Sequence, residues 1–449
     1  MTKPKKPIIS IVGTTGVGKS QFSIDLAKAI NGEIINADSM QVYKKLDIIT
    51  NKHPIPEREG IPHHVMDHVD WNERYYLHPF RQQAIAAIDD IHSRGKIPIV
   101  VGGTHYYLQT LLFNNKTVGD EEELEQENKT ELTTAQLEIL DGPVDQLFQE
   151  LQKVDPLIAS KFHPQDDRKL RRALEIWYTT GKKPSDLYRQ QKYHELEDSS
   201  LRYNTLIFWV YCDREVLTPR LDTRVDKMME LGAIEEIKEM YEVYKSKNYT
   251  TTSGVWQVIG FKEFLPWLDS NMNNLDLFKQ GVETMKVRTR QYAKYQIRWI
   301  LNVLLIELEK ESRFNYKYGG KLYILDATDL THWQQQVKTR GIEITKQFLQ
   351  GSTELPQAPQ ELMHMFNKSK SHTSQKVLHA DLNWKHYTCD ICKDKSGKPY
   401  VMVGKDVYDQ HMASKRHRRT IYANKKRQGK LDYQVYLKNN KLSEGEDNP

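Results

Sequence analysis

The sequence has few cysteines and no long apolar run. Three cysteines, Cys212, Cys389 and Cys392, are too few for a disulfide framework, so we expect a reducing compartment. No apolar stretch reaches the length of a membrane-spanning helix, which predicts that the chain does not enter a membrane. A predicted strand follows the basic start MTKPKKP and leaves no room for a secretory signal. We expect residence in the cytoplasm, with mitochondria and nucleus left open.

The composition is that of a globular protein with several domains. A chain of 449 residues is long enough for two or three domains with a large buried core. Hydrophobic residues make up 38% of it, which excludes a disordered chain. The mean hydropathy of −0.70 predicts a heavily charged surface.

Apolar, β-branched segments alternate with helical patterns along much of the chain. The predicted strands are Ile8–Val12, Ile34–Asn36, Ile97–Val101 and segments within 204–215 and 321–328. Such alternation predicts an α/β fold with a parallel sheet. Functional residues gather at the carboxyl ends of parallel strands. Here these ends carry the segments Gly13–Ser20, Asp38–Tyr43 and Gly102–Tyr107.

The first strand leads into the pattern G-x-x-x-x-G-K-S. Its residues are Gly13, Thr14, Thr15, Gly16, Val17, Gly18, Lys19 and Ser20. Glycines allow the backbone N–H groups to converge on an anion, and the following helix adds its N-terminal dipole. Lys19 adds a positive charge, and the Ser20 hydroxyl is a candidate Mg²⁺ ligand. The pattern predicts a P-loop that binds a phosphate.

The phosphate need not belong to a nucleotide. A P-loop kinase or ATPase also needs an acid after a second strand to hold magnesium. The strand Ile97–Val101 is followed by GGTHYY, which contains no acid, and the acid near a strand end is Asp38. This favours a phosphate that is part of a leaving group, while a nucleotide kinase or NTPase remains an alternative.

The C-terminal region carries a zinc-binding pattern. Cys389-x2-Cys392 is followed after 18 residues by His411-x5-His417, which supplies the four ligands of a tetrahedral zinc. Tyr408 occupies the usual core position, and the pattern resembles the matrin or U1-type finger. From His411 to Lys430 the chain has eight Lys or Arg and no acid, which suits phosphate contacts.

These features predict a P-loop NTPase-like core with a helical insertion and a C-terminal C2H2 zinc finger. The acidic segment Val118–Thr134 is expected to be solvated or flexible. The predicted divisions are core (1–115), helical insertion (116–200), core completion (201–345), linker (346–385), finger with basic tail (386–430) and flexible C-terminus (431–449).

Seven segments together resemble one enzyme family, the tRNA dimethylallyltransferases, in their eukaryotic form with a zinc finger. They are GTTGVGKS, DSMQVYK, GGTHYY, HPQDDRKLRRALEI, DTRVDKMMELG, GVWQVIGFKEF and TRQYAKYQIRW. The resemblance implies transfer of a dimethylallyl group from its diphosphate to N6 of the adenosine 3′ of the tRNA anticodon. It implies Mg²⁺ and structural Zn²⁺ as cofactors and the anticodon stem-loop as partner. A monomer is the expected state.

The resemblance also implies roles for particular residues. Arg290 and Lys294 would join the P-loop in binding the diphosphate. The implied catalytic residues are Lys19, Asp38, Thr104 and Arg290, with Asp38 as the base. The implied tRNA-binding residues are Asp38, Ser39, Met40, Gln41, Thr104, Lys169, Arg171 and Arg172.

Structural alternatives to these roles stay open. Asp38 and Thr104 also suit a turn and a helix N-cap, and the basic helix RKLRRALEIW also suits a solvated face with salt bridges. The family commonly has Arg where this chain has Tyr295, and often Arg at Lys169. A non-catalytic RNA-binding zinc protein is a further alternative, which the intact Lys19, Ser20 and Asp38 disfavour.

Overall fold

The computed structural model describes most of the chain, which divides into two compact units. The described residues are 5–114, 132–188, 198–247, 249–251, 253–352, 355–366, 385–394 and 397–443, with 431–443 described by their backbone alone. The first unit comprises Met1–Thr117 and Glu195–Thr373, and the second comprises Val118–His194 and Ser374–Pro449. The helical insertion and the finger thus fall in one unit.

The first unit is built on a parallel sheet, as the sequence predicts. In the described part of the chain its strands are β1 (Pro7–Gly13), β2 (Gly32–Asn36), β3 (His63–His64), β4 (Ile97–Val101), β5 (Asn204–Tyr211) and β6 (Gly319–Asp326). They lie in the order β3-β2-β4-β1-β5-β6. β1 is central, with Ile9 opposite Ile99 of β4 on one side and Leu206 of β5 on the other.

Helices connect and flank the strands. In chain order they are α1 (Lys19–Ile30), α2 (Leu77–Ser93), α3 (His105–Leu112), α4 (Thr134–Leu140), α5 (Val144–Val154), α6 (Pro156–Lys161), α7 (Asp167–Thr180), α8 (Arg214–Glu230), α9 (Ala233–Ser246), α10 (Leu265–Asp269), α11 (Leu275–Trp299), α12 (Leu305–Glu311), α13 (Arg340–Leu349), α14 (Lys405–Met412) and α15 (Lys415–Ser443). A π-helical turn, Ile300–Leu304, joins α11 to α12 where the sequence predicts one run.

Both faces of the sheet are buried, so its strands are apolar throughout. On β1, Ile8 and Val12 pack into one core cluster, and Ile9 and Ile11 pack into another on the opposite face. Successive side chains of a strand point to opposite faces, and a sheet covered on both faces requires apolar residues at every position. The continuous run IISIV therefore encodes a central strand.

A third core cluster holds the segment that follows β2. Tyr43 is fully buried there, together with Trp256 and Phe261 from beyond α9 and Met285 from α11. Below it, Lys52 is buried and its ammonium group donates to the Tyr43 carbonyl oxygen at 2.8 Å. These contacts anchor the loop that leads away from Asp38.

The second unit contains α4–α7 together with the finger. Leu147 and Leu151 of α5 pack against Leu170 and Leu174 of α7. In the finger, β7 (His386–Lys393) and β8 (Pro399–Val403) form an antiparallel hairpin that precedes α14 and α15.

The finger hairpin is joined directly to the helical insertion. The His386 Nε2–H donates to the Phe162 carbonyl oxygen at 2.8 Å, and the His163 Nε2–H donates to the Val401 carbonyl oxygen at 3.0 Å. Lys398 pairs with Asp145 of α5 at 2.9 Å. The insertion and the finger, predicted as separate domains, therefore share an interface.

The predicted domain ends differ from the structure at two places. Helix α13 continues to Leu349, and Leu362 and Met365 are buried in a core cluster, so structured chain extends past residue 345. Helix α15 continues to Ser443, beyond residue 430, where the sequence analysis starts a flexible C-terminus. Most of the acidic segment Val118–Thr134 lies outside the described residues.

Candidate active site and metal centre

A cavity of 230 Å³ opens where the loops after β1, β2 and β4 meet. The P-loop contributes Thr15, Gly16, Gly18, Lys19 and Ser20 to its lining. The loop after β2 contributes Asp38 and Gln41, and the loop after β4 contributes Gly102 and Gly103. The sequence placed these three loops together, and the structure confirms their convergence.

The P-loop folds tightly around Lys19. Gly18 has a φ of +87°, and a Cβ there would lie 2.5 Å from the Trp333 indole, so the position requires glycine. The Lys19 ammonium group donates to the Thr14 carbonyl oxygen at 2.7 Å. Burial, followed by the nearby Arg224 charge, lowers the pKa of Lys19 to about 8. A bound anion would therefore find a poorly solvated ammonium group.

Part of the P-loop serves the fold instead of the cavity. Val17 is buried in the core, and Thr14 is also buried. At Gly13, a Cβ would lie 2.5 Å from the Val210 carbonyl oxygen of β5. Gly13, Thr14 and Val17 are not among the residues that line the cavity.

Asp38 combines a turn role with a place in the cavity. Its Oδ1 accepts from the Met40 N–H at 2.9 Å, which is the turn interaction weighed in the sequence analysis. Burial raises the pKa of the carboxyl group above its ordinary value, partly offset by the Met40 hydrogen bond and the Lys19 charge. A carboxylate with a raised pKa is a better proton acceptor.

Thr104 begins helix α3, but its hydroxyl does not cap that helix. Instead the Thr104 Oγ1 accepts from the Ser39 N–H at 2.9 Å and donates to the Ser39 Oγ at 3.1 Å. These bonds tie the start of α3 to the residue after Asp38. Thr104, Ser39 and Met40 are not among the cavity-lining residues.

Gln41 lies in the lining, yet its amide nitrogen is already engaged. The Gln41 Nε2–H groups donate to the carbonyl oxygens of Thr50 at 3.1 Å and Asn51 at 3.0 Å. An adenine contact through this nitrogen would have to displace one of these bonds.

The cavity contains an arginine that the sequence analysis did not assign, Arg224 of α8. Its Nη1 donates to the Thr15 Oγ1 at 2.9 Å. A signal existed, because Arg224 follows Leu221 by three residues and so falls on the buried stripe of α8 that includes Leu217 and Met228. A charged residue on an apolar stripe points to a buried site.

The arginine predicted for this place has another partner. Arg290 pairs with Asp222 through a short ion pair, and Lys294 is exposed on α11. Neither is among the cavity-lining residues. In this structure Arg224 occupies the position beside the P-loop at which Arg290 was expected.

Two further residues of α11 line the cavity and were also missed. The Tyr292 hydroxyl donates to the Gly103 carbonyl oxygen at 3.0 Å. The buried Gln296 side chain contacts both the P-loop and Gly103. Both lie in the segment TRQYAKYQIRW, of which the sequence analysis assigned only the basic residues.

The basic residues predicted to bind tRNA lie on α7, in the second unit. Each takes part in ion pairs on an exposed helix face: Lys169 with Asp166 at 3.1 Å, Arg171 with Asp141 at 3.1 Å, and Arg172 with Glu175 at 2.7 Å. Exposed pairs of this kind contribute little to stability, about 0–1 kcal/mol each. Phosphates could therefore replace the acidic partners at low cost.

The four predicted zinc ligands come together in the finger. The ligand atoms of Cys389, Cys392, His411 and His417 all lie within 4.8 Å of one another. Both sulfur atoms are 3.5 Å from the His417 Nδ1. Tetrahedral zinc, with bonds of about 2.3 Å to sulfur and 2.0–2.1 Å to nitrogen, separates such atoms by roughly 3.5 Å.

The remaining ligand supports the same conclusion. The His411 Nε2 is buried and has no hydrogen-bond partner, which suits a metal ligand. Cys389, Cys392 and His417 are also buried. The cluster can hold a structural metal with the donor set of zinc.

Comparisons with known proteins agree with this site. The family described as IPP transferase matches residues 41–303, and that described as isopentenyl transferase matches residues 6–58. The chain is 47% identical to a tRNA dimethylallyltransferase of Saccharomyces cerevisiae, covering 93% of each protein. It is 38% identical to the Schizosaccharomyces pombe enzyme of that name (97% and 98% covered) and 34% identical to the Homo sapiens one (92% and 85% covered).

A solved structure is similar over almost the whole chain. It is a crystal structure of a eukaryotic dimethylallyltransferase acting on tRNA, 45% identical in sequence, with a TM-score of 0.80. The match covers 96% of this chain and 100% of the other. In the described part of this chain, no helix is both long and apolar enough to cross a membrane.

Proposed function

The chain belongs to the IPP transferase family, and from this premise we propose that it is a tRNA dimethylallyltransferase. It transfers a dimethylallyl group from dimethylallyl diphosphate to N6 of the adenosine on the 3′ side of the tRNA anticodon. Diphosphate is released. Action as a monomer and residence in the cytoplasm remain predictions.

One observation carries this proposal: a phosphate cradle and a carboxylate with a raised pKa share one cavity. Lys19 and Arg224 stand on the P-loop side, and Asp38 stands on the loop after β2. Asp38 is the carboxylate among the described lining residues, and β4 is followed by Gly102 where a P-loop kinase has its metal-binding acid. The arrangement suits a reaction between a diphosphate ester and a group that loses a proton.

The chemical step is a substitution at the allylic carbon. The N6 amine forms a bond to C1 of the dimethylallyl group while the C1–O bond breaks, and the bonding electron pair leaves with diphosphate. Asp38 accepts the proton that N6 loses. Lys19, the Arg224 guanidinium and the P-loop amides stabilise the negative charge that grows on the leaving group.

The P-loop also fits a magnesium ion. Ser20 lies in the cavity lining at the start of α1, and Mg²⁺ usually takes one or two protein oxygens together with substrate phosphates and waters. We assign the Ser20 hydroxyl as the protein ligand. When bound, magnesium neutralises part of the diphosphate charge.

Binding of tRNA is assigned to backbone contacts from the second unit. Helix α7 offers Lys169, Arg171 and Arg172, and the start of α15 adds the basic residues of the finger. Contacts of this kind fix orientation without reading sequence. The target adenosine must leave its stack to reach a cavity, which costs least in a loop of unpaired bases.

Incubation with radiolabelled dimethylallyl diphosphate and an anticodon stem-loop tests the proposal. Label should enter the RNA at the adenosine 3′ of the anticodon and nowhere else. A matched stem-loop with guanosine at that position, which has no N6 amine, should remain unlabelled. ATP turnover without RNA would instead support a kinase or NTPase, and RNA binding without transfer would support the non-catalytic alternative.

A further inference from the structure

The buried carboxamide of Gln296 joins the two sides of the cavity. Its Oε1 accepts from the Thr15 N–H of the P-loop at 2.9 Å. Its Nε2–H donates to the Gly103 carbonyl oxygen, in the loop after β4, at 3.1 Å. The side chain is 1% exposed, so both bonds form away from water. A buried amide costs free energy unless it is paired, and here both of its polar atoms are paired.

The two loops need such a bridge because the sheet stops short of them. The described pairing between β1 and β4 ends at Ile11 opposite Val101. Beyond that point the P-loop and the loop after β4 run free of ladder hydrogen bonds to each other. Gln296 therefore replaces the strand pairing at the place where the cavity opens.

The bridge is tightly packed on the Gly103 side. A Cβ at Gly103 would lie 2.5 Å from the Gln296 Nε2 and 3.6 Å from both the Asp38 Oδ2 and the Tyr292 hydroxyl. Tyr292, one helical turn before Gln296 on α11, donates to the same Gly103 carbonyl oxygen at 3.0 Å. Only a glycine leaves room for these three groups.

From Gly103 the hydrogen bonds continue to the loop that carries Asp38. The Thr104 N–H donates to the Ala37 carbonyl oxygen at 3.2 Å, and the Thr104 Oγ1 accepts from the Ser39 N–H at 2.9 Å. Ala37 and Ser39 flank Asp38. An unbroken path thus runs from the Thr15 amide through Gln296 and Gly103 to both neighbours of Asp38.

We propose that Gln296 is a positioning residue that sets the separation between the diphosphate and the base Asp38. This inference rests on the proposed function, since it concerns the distance between the allylic carbon and the attacking amine. Gln296 touches loops and not reacting atoms, so it acts through Thr15 and Gly103. Misplacement of reacting groups by about 1 Å can cost roughly a hundredfold in rate.

The test compares Gln296→Met with Gln291→Met. Methionine fills a similar volume but cannot bridge the loops. Gln291 lies on the same helix, is exposed, and accepts only from the Arg288 Nη1 at 3.3 Å among the bonds described for it, so its variant is the matched control. Single-turnover transfer to an anticodon stem-loop and the dissociation constants of dimethylallyl diphosphate and RNA are measured for both.

We expect Gln296→Met to lower the single-turnover rate at saturation by at least about tenfold, with each dissociation constant changed by less than about threefold. Gln291→Met should match the wild type in all three measurements. A wild-type rate in Gln296→Met, or a loss confined to substrate affinity, overturns the inference. An inactive wild type would overturn the proposed function instead, which keeps the two failures distinct.

A second variant separates positioning from a general packing defect. In Gln296→Glu the carboxylate accepts from Thr15 but donates to Gly103 only when protonated. Its rate relative to wild type should therefore rise as the pH falls, whereas the ratio for Gln296→Met should not change. A constant ratio for Gln296→Glu contradicts the bridge. Should Gln296→Met fail to fold, Tyr292→Phe, which removes one of the two donors to Gly103, must lower the rate without weakening binding.

Discussion

The Arg224 guanidinium of α8 donates a hydrogen bond of 2.9 Å to the hydroxyl of Thr15 in the P-loop. The two residues are 209 positions apart in the chain. The bond places a permanent positive charge at the edge of the phosphate cradle. Arg290, on a neighbouring helix, spends its charge on Asp222.

This geometry ranks the two arginines. Arg224→Lys keeps a charge but loses the directed hydrogen bond, and we expect kcat/KM for dimethylallyl diphosphate to fall by about a hundredfold, as when one donor to a developing anion is lost. Arg290→Lys, the matched control, should lose less than about tenfold. Steady-state kinetics with saturating RNA measures both. The reverse order would show that Arg290 leaves Asp222 when substrate binds.

The pKa of Lys19 predicts the alkaline limb of activity. Burial lowers this pKa to about 8 in the free protein, so the ammonium group loses its proton as the pH rises through 8. Since kcat/KM reports groups of the free enzyme, kcat/KM for dimethylallyl diphosphate should decline above about pH 8. In Lys19→Arg, which stays charged, the remaining activity should lack this decline. A limb that persists unchanged in Lys19→Arg belongs to another group.

Asp38 predicts the acid limb and the fate of the proton. Because burial raises its pKa, protonation should abolish the base at a pH above the ordinary range of aspartate. Asp38→Asn keeps the acceptor for the Met40 N–H but cannot take a proton, and we expect transfer to fall by roughly a hundredfold or more with RNA affinity retained. Fluorescence-detected RNA binding and single-turnover transfer separate these effects. Loss of RNA affinity would make Asp38 a structural residue.

The zinc cluster predicts a defect in RNA binding and not in chemistry. Cys389→Ser with Cys392→Ser should release the metal and unfold the finger, because a segment of this size depends on its zinc. The insertion then loses its contacts from His386 and Val401. RNA affinity should drop, and its dependence on salt should flatten by roughly 0.7–0.9 per lost phosphate contact.

The matched control is Cys212→Ala, which changes a cysteine of the first unit. It should keep the zinc content and the salt slope of the wild type. Truncation near Asp381 should reproduce the double variant, with single-turnover transfer retained at saturating RNA. A collapse of that rate would place the finger in the catalytic assembly.

Local patterns in the sequence were enough for the sheet core and the zinc ligands. The run IISIV predicts a central strand because a strand buried on both faces must be apolar at every position. The P-loop pattern specifies its own fold through glycines at left-handed positions, such as Gly18. Cys389, Cys392, His411 and His417 are identified by their chemistry and spacing alone, and the structure confirms that they meet.

Which charges enter the cavity was decided only by the tertiary structure. Helices α8 and α11 each present several basic residues, and their patterns do not state which helix face meets the P-loop. Packing of α8 turns Arg224 toward Thr15 and leaves Arg290 beside Asp222. Likewise Gln296 reaches Thr15 across 281 positions of chain. Local sequence determines elements and loops, whereas contacts at such separations depend on how the elements pack.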